Sequence, residues 1–311
     1  MSTHPDPRPL AAGETIEPDV LLLPAIAFDP PWDERAPWLE EYDVVDGVTI
    51  RGADGPLYYT DDGLAITTTG MGKTDAAATV AALFSTPELS LESTTVLSVG
   101  IAGGRPSMAP LGSVWLADAI VDWDRKHRWD PDEVPTGERA DTDDEDTKPP
   151  IDPLVYRQRD YVYHVNDVLL ERAYEATASV TLLDHPSVRE TRQAYPDAVD
   201  SDPTVEIGTS VCGDEFWHGS RYAREVQWLC EQYGVGPYAT TQMEDAATAR
   251  VLERFGALGR YLGLRAVVNY DRPGRGQTVK DSFEGSMETL EVGLENLVRV
   301  GTRVVDTVRR R

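Results

Sequence analysis

Lysine is almost missing from this chain. It stands only at positions 73, 126, 148 and 280; the other members of the 29 basic residues are arginines, set against 54 aspartates and glutamates for a formal net charge of −25. That balance argues against binding nucleic acid or an anionic lipid surface, since both need clustered cations. Cysteine is scarce as well. Cys212 and Cys230 are too few and too far apart for a disulfide framework or a zinc site, so they read as buried thiols and no metal is expected. Long apolar runs are lacking. The stretch VLLLPAIAF from Val20 to Phe28 is broken by Pro24 and falls well short of the roughly 20 residues that cross a bilayer, so no membrane span is expected. The opening MSTHPDPRPLAAGETIEPD has neither a basic nor an apolar leader region, so no signal peptide is expected and the cytoplasm is the expected location.

What is abundant is acid, spread along the whole length. Such a surface suits molar salt, where the Debye length shrinks to roughly 3 Å and self-repulsion is screened. The sequence therefore suggests a halophilic source, the plainer alternative being an acidic protein of ordinary salt with a disordered tail. With 311 residues and 41% hydrophobic content, the chain can build one large α/β domain or two small ones.

Strand and helix signals alternate without internal repeats. Residues 1–18 read as a flexible arm. VLLLPAIAF reads as a buried strand, and VTIRGADGPLYYTDDGLAITTTG as hairpin strands around ADG and DDG turns. KTDAAATVAALFST is a helix, STTVLSVGIA and GSVWLADAIVDWD continue the sheet, and the charged, Pro-rich segment 124–153 is a solvated excursion or a lid. Further on, NDVLLERAYEATASV, HPSVRETRQAY, RYAREVQWLCEQYG and DAATARVLERFGALG are helices. TVEIGTSVCGDEFW and LGLRAVVNY are strands, and a long helix ends the chain. This pattern predicts an α/β fold: one three-layer α/β/α sandwich over residues 19–311 with a mixed central sheet and a charged insertion at 124–153.

Five short motifs carry chemistry. TTTGMGKTDAA contains Gly72-Lys73-Thr74, but a nucleotide-binding loop needs glycine at position 67, which is threonine, so Gly70 and Gly72 read as a tight strand-to-helix turn. SVGIAGGRP ends a strand in Gly103 and Gly104, which could form an anion nest beside Arg105 or a plain turn. CGDEFWHG clusters Asp214, Phe216, Trp217 and His218, good partners for a flat ring or core aromatics with a turn aspartate. TTQMEDAATA places Glu244 at the start of a small-residue helix, where Thr241 and Glu244 match a capping box. RAVVNYDRP puts Asn269 and Asp271 just past a buried strand, where α/β sheets collect ligands and where Asn-x-Asp before Pro also makes turns.

In this order and spacing, GMGKTDAAATVAAL, GIAGGRPSMAPLGSV, CGDEFWHG, MEDAATA and NYDRP resemble the purine nucleoside permease family, itself similar to nucleoside phosphorylases and nucleosidases; ERAPW at Glu34–Trp38 also fits. The resemblance implies a bound purine nucleoside and a cleaved N-glycosidic bond, by phosphorylase or hydrolase chemistry, or else nucleoside binding tied to transport. It implies that Glu244 holds the ribose hydroxyls with Met243 under the sugar, and that Phe216 and Asp214 belong to the base site. Asn269 takes the place where many nucleosidases carry the acid that meets the leaving purine, with Asp271 two residues on as the alternative acid. A phosphate or water site would draw on Gly70, Gly103, Gly104, Arg35 and Arg105, or, with water as the nucleophile, on Glu34 as its base. The hydroxyl that phosphorylases would place at position 101 is an isoleucine here. No cofactor is implied, inorganic phosphate being a possible co-substrate, and relatives of this kind usually form homo-oligomers.

Overall fold

A computed structural model describes residues 4–134, 148–154, 156, 161–195, 197–283 and 286–309. The chain is a mixed α/β protein around a central mixed sheet. Its first half contributes strands β1 (Arg8–Pro9) and β2 (Val20–Leu23), helix α1 (Ala36–Glu41), the hairpin strands β3 (Asp46–Thr49), β4 (Leu57–Tyr59) and β5 (Leu64–Ile66), helix α2 (Lys73–Ser85), and the long strands β6 (Thr95–Gly104) and β7 (Val114–Asp122). A two-stranded ribbon, β8 (Lys126–Arg128) and β9 (Ile151–Pro153), brackets the charged insertion. Residues 135–147, the heart of the segment read as a solvated excursion or a lid, lie outside the described residues. There follow β10 (Val162–His164), α3 (Asp167–Ala176), α4 (Pro186–Gln193), β11 (Val205–Cys212), α5 (Ser220–Gln232), β12 (Tyr238–Gln242), α6 (Asp245–Arg254), β13 (Tyr261–Tyr270), α7 (Val279–Phe283) and α8 (Met287–Val308).

The apolar run at Val20–Leu23 is buried on both faces because it lies between two parallel neighbours, β5 and β6. Strand β6 is the hub. It pairs with β2 and β13 in parallel and with β12 antiparallel. Since β12 pairs β11, β11 pairs β7, and β7 pairs β13, five strands close on one another beside the open β1–β5 wing. Closure brings the ends of β6, β12 and β13 together, so residues as far apart in sequence as Gly103 and Asn269 share one rim.

The C-terminal helix α8 buries Leu290, Leu297, Val300, Val304 and Val308 at helical spacing and starts at Ser286, whose hydroxyl accepts from the Thr289 amide at 3.2 Å. Its Gly301 receives the indole of the fully buried Trp38, which a side chain there would displace. In the N-terminal segment, Arg8 forks between Glu14 and Asp46 while Arg8–Pro9 pair with Val48–Thr49. The short β1, β8 and β9 escape the sequence patterns, and so do β10 and β12. Both are short, and neither the run YVYHV around β10 nor PYATTQ at β12 shows a clean alternation, because β12 is buried at Tyr238, Ala239, Thr240 and Gln242. Among the described residues no helix is long and apolar enough to cross a membrane.

Candidate functional site

The stretch LSVGIAGG is strand rather than loop. Gly103 and Gly104 pair with Thr241 and Thr240 on one side and with Asn269 and Tyr270 on the other, so no anion nest forms there. The absence of a side chain at Gly103 still matters, because a Cβ would come within 2.8 Å of the Thr241 hydroxyl on the neighbouring strand.

Where β6, β12 and β13 end, a cleft opens with about 830 Å³ of empty space, its mouth included. Segments distant in sequence line it: Glu34 after β2, Met71 before α2, Gly103 on β6, Glu215 to His218 after β11, Met243 and Glu244 between β12 and α6, and Asn269 and Asp271 at the end of β13. Of the expected residues, Glu34, Gly103, Phe216, Met243, Glu244, Asn269 and Asp271 come together here.

Glu34 is held as an anion would be. Its Oε2 accepts from the Ala25 and Ile26 amides at 2.8 and 3.3 Å, and its Oε1 from the Ile101 amide at 2.7 Å. Burial pushes its pKa up, against those three amides and the nearby Arg265. Glu244 is buried on the same cleft. Its Oε1 accepts from the Gly72 amide at 2.9 Å, and Gly72 takes the φ of 87° that this turn requires. Burial raises the Glu244 pKa to about 7, opposed by Arg265 and the Gly72 amide and reinforced by Glu34 and Asp245. The capping box predicted for Glu244 does not form. Thr241 belongs to β12, and it is the Gln242 side chain that caps α6, accepting from the amides of Glu244 at 2.7 Å and Asp245 at 2.9 Å. Gln242 thereby frees Glu244 to face the cleft, a role foreshadowed only by a polar residue standing just ahead of the helix.

Behind this wall lies Arg265, fully buried in β13 and ion-paired with Asp245, the first residue of α6. Sequence reasoning gave neither of them a role. The signal was there: an arginine inside the apolar run LGLRAVV demands a buried counter-charge.

Asn269 lines the same cleft as Phe216 and His218, and among the described residues its side chain makes no hydrogen bond. Asp271 is otherwise engaged. Its carboxylate accepts from the Tyr238 hydroxyl at 2.6 Å and from Arg272 Nε at 2.7 Å. His218 is within 3.1 Å of the Ser282 hydroxyl, and burial pushes its imidazole pKa down.

The other expected residues point elsewhere. Asp214 caps α2 by accepting from the Lys73 amide at 2.7 Å. Arg35 stacks on Tyr58, and Arg105 reaches Gln227 at 2.5 Å across the Tyr238 ring. Gly70 and Gly104 do not line the cleft, Gly104 being packed against Val267 and Ala109. Among the described residues lining the cleft there is no arginine and no lysine, and four are carboxylates: Glu34, Glu215, Glu244 and Asp271. The described residues hold no cluster of three metal-ligating side chains.

Comparison with known proteins sets this geometry in context. Solved structures share the fold: a 5'-methylthioadenosine/S-adenosylhomocysteine nucleosidase from Neisseria meningitidis has a TM-score of 0.57 at 18% identity, over 92% of this chain and 97% of the other. A futalosine hydrolase of Helicobacter pylori has a TM-score of 0.58 at 17% identity, over 94% and 98%. Sequence relatives include a purine nucleoside permease of Candida albicans, 29% identical over 299 residues, spanning 88% of this chain and 72% of the relative. Another is a probable purine nucleoside permease of Schizosaccharomyces pombe, 27% identical over 88% of this chain and 86% of the relative. The sequence model of the family described as purine nucleoside permease matches residues 18–311, and the chain belongs to that family.

Proposed function

We propose that this protein binds purine nucleosides in the cleft and hydrolyses their N-glycosidic bond. The observation that carries the reading is the electrostatic make-up of the cleft: two buried carboxylates, Glu34 and Glu244, share it with Asn269 and Phe216, and no arginine or lysine is among its described lining residues. Sugar–base cleavage builds positive charge on the ribose and negative charge on the departing purine. Glu244 accepts from the ribose hydroxyls and stabilises the sugar cation, with Met243 packed beneath. Glu34, oriented by three amides, takes the proton of the attacking water as the C1'–O bond forms and the C1'–N9 bond breaks. The bond pair leaves with the purine, where the Asn269 amide donates a hydrogen bond and solvent supplies the final proton.

Water rather than phosphate is the nucleophile in this reading. An inorganic phosphate would enter a site rich in carboxylates, with Arg35 and Arg105 turned to other partners. The family name and the relatives' names support a second reading, nucleoside binding in the service of uptake without turnover. One experiment separates the readings. The protein is incubated in molar KCl with inosine, guanosine and adenosine, with and without phosphate. Free base with ribose supports hydrolysis, ribose 1-phosphate overturns it in favour of phosphorolysis, and saturable binding without product supports the uptake role.

A further inference from the structure

Arg265 faces three carboxylates at once. Its Nη2 donates to Asp245 Oδ1 and, at 2.8 Å, to the Ser98 hydroxyl, and it lies 3.8 Å from Glu244 Oε2. Its Nη1 occupies space that only glycine at position 100 leaves open: a Cβ there would sit 2.5 Å from Nη1 and 2.9 Å from Glu34 Oε1. A guanidinium this close to a lone buried glutamate would ordinarily form a forked pair with it. A glutamate so engaged has fewer lone pairs for a ligand.

What prevents that capture is Asp245. The residue is wholly buried, its amide is capped by Gln242, and its second oxygen rests where a side chain on residue 263 would stand, 2.8 Å from the Cβ that Gly263 lacks. The pair with Arg265 runs through Nη2 to one oxygen only; Asp245 Oδ2 and Arg265 Nε have no partner among the described residues. The ion pair is thus not the best this guanidinium could make, yet it is the one the fold imposes. We propose that Asp245 is a positioning residue for sugar recognition: it detains Arg265 behind the cleft wall and leaves Glu244 available to a vicinal diol. This rests on reading the cleft as a ribonucleoside site. Around Glu244, burial is the main cause of its raised pKa; Arg265 and the Gly72 amide favour the ionised form, while Glu34 and Asp245 oppose it.

The test compares inosine with 2',3'-dideoxyinosine, binding to the intact protein in molar KCl at about pH 8, by calorimetry. Wild-type protein is expected to prefer the diol by about tenfold or more, the range of hydrogen bonds to a charged group. Asp245→Asn is expected to lose that preference, inosine falling to the level of the dideoxy compound while the latter changes less than about twofold. A merely structural role would weaken both ligands alike. Asp245→Asn that keeps the wild-type preference overturns the proposal. Asp245→Ser gives a second, smaller replacement judged by the same criterion. Should neither variant fold, Arg265 Nη resonances in ¹⁵N-labelled wild-type protein decide. Signals unmoved by inosine support the detained arginine, and signals that move as it turns to the ligand or to Glu244 overturn it. Wild-type protein that binds inosine without preferring the diol defeats the assignment of Glu244 itself, a different failure from loss of the Asp245 effect.

Discussion

Two acid-rich regions of this molecule obey opposite rules. At the outer edge of the sheet, Glu14 and Asp46 meet Arg8 in water; Arg8 holds the Glu14 carboxyl down to about 2, and Asp46 is lowered in spite of its partial burial by the Gly47 amide and Arg8. At the rim formed by β6, β12 and β13, Glu34 and Glu244 are raised by burial although backbone amides and Arg265 pull the other way. The residue types are the same and cations are near in both places. Access of water is what differs. The exposed cluster keeps its charge at little cost, whereas in the cleft burial opposes the charge of both carboxylates and raises Glu244 to about 7.

Breaking the cleft side of this contrast gives the largest expected effect. Glu244→Ala is expected to lower nucleoside turnover by about two to four orders of magnitude through loss of transition-state stabilisation, measured as kcat/KM for inosine cleavage. Near-wild-type turnover would refute its role. Glu34→Gln is expected to cost about 10²-fold or more in kcat with little change in nucleoside affinity, because a base acts on the water and not on the bound sugar. Asn269→Ala is expected to cost less, about tenfold to a hundredfold, as the loss of one hydrogen bond to the purine as negative charge builds on it.

A stability measurement sharpens the contrast further. The folded pKa of Glu244 lies above the ordinary 4.5, near 7, so the folded state binds this proton more tightly than the unfolded one. Stability from this group is therefore full below about pH 4.5 and declines as pH rises to about 7. Glu244→Gln removes the buried charge and is expected to stabilise the empty protein at about pH 8 by on the order of 1–3 kcal/mol, with no gain at acid pH, as read from denaturant midpoints. The smallest effect belongs to the outer cluster. Arg8→Ala is expected to change the melting temperature only slightly, and less still in molar salt, where screening already weakens an exposed pair. An effect on activity there would erase the distinction between the two regions.

Much of the scaffold was legible in the chain. The run VLLLP, the ADG and DDG turns, the Ala-rich stretch after Lys73 and the long helical stretch before the C-terminus each announce their element through local pattern alone. Glu244, Glu34, Phe216 and Asn269 were legible as cleft residues through short motifs. What escaped was pairwise. Thr241 and Glu244 spell a capping box, yet Thr241 is consumed by a strand that shows no alternation, and Gln242 does the capping. Arg35 and Arg105 sit in sequence beside site residues, yet adjacent residues on strands and turns point in different directions, and both leave the cleft.

By itself, then, the sequence determined the alternation of strands and helices, the lysine-poor acidic surface and the family, since these depend on residue identity and short spacing. Only the tertiary structure decided which carboxylates share a cleft, which arginine stands behind it and which aspartate is spent on Arg272. Those outcomes depend on strand closure, which joins residues far apart along the chain, and on burial, which changes the chemistry of a carboxylate without changing its letter.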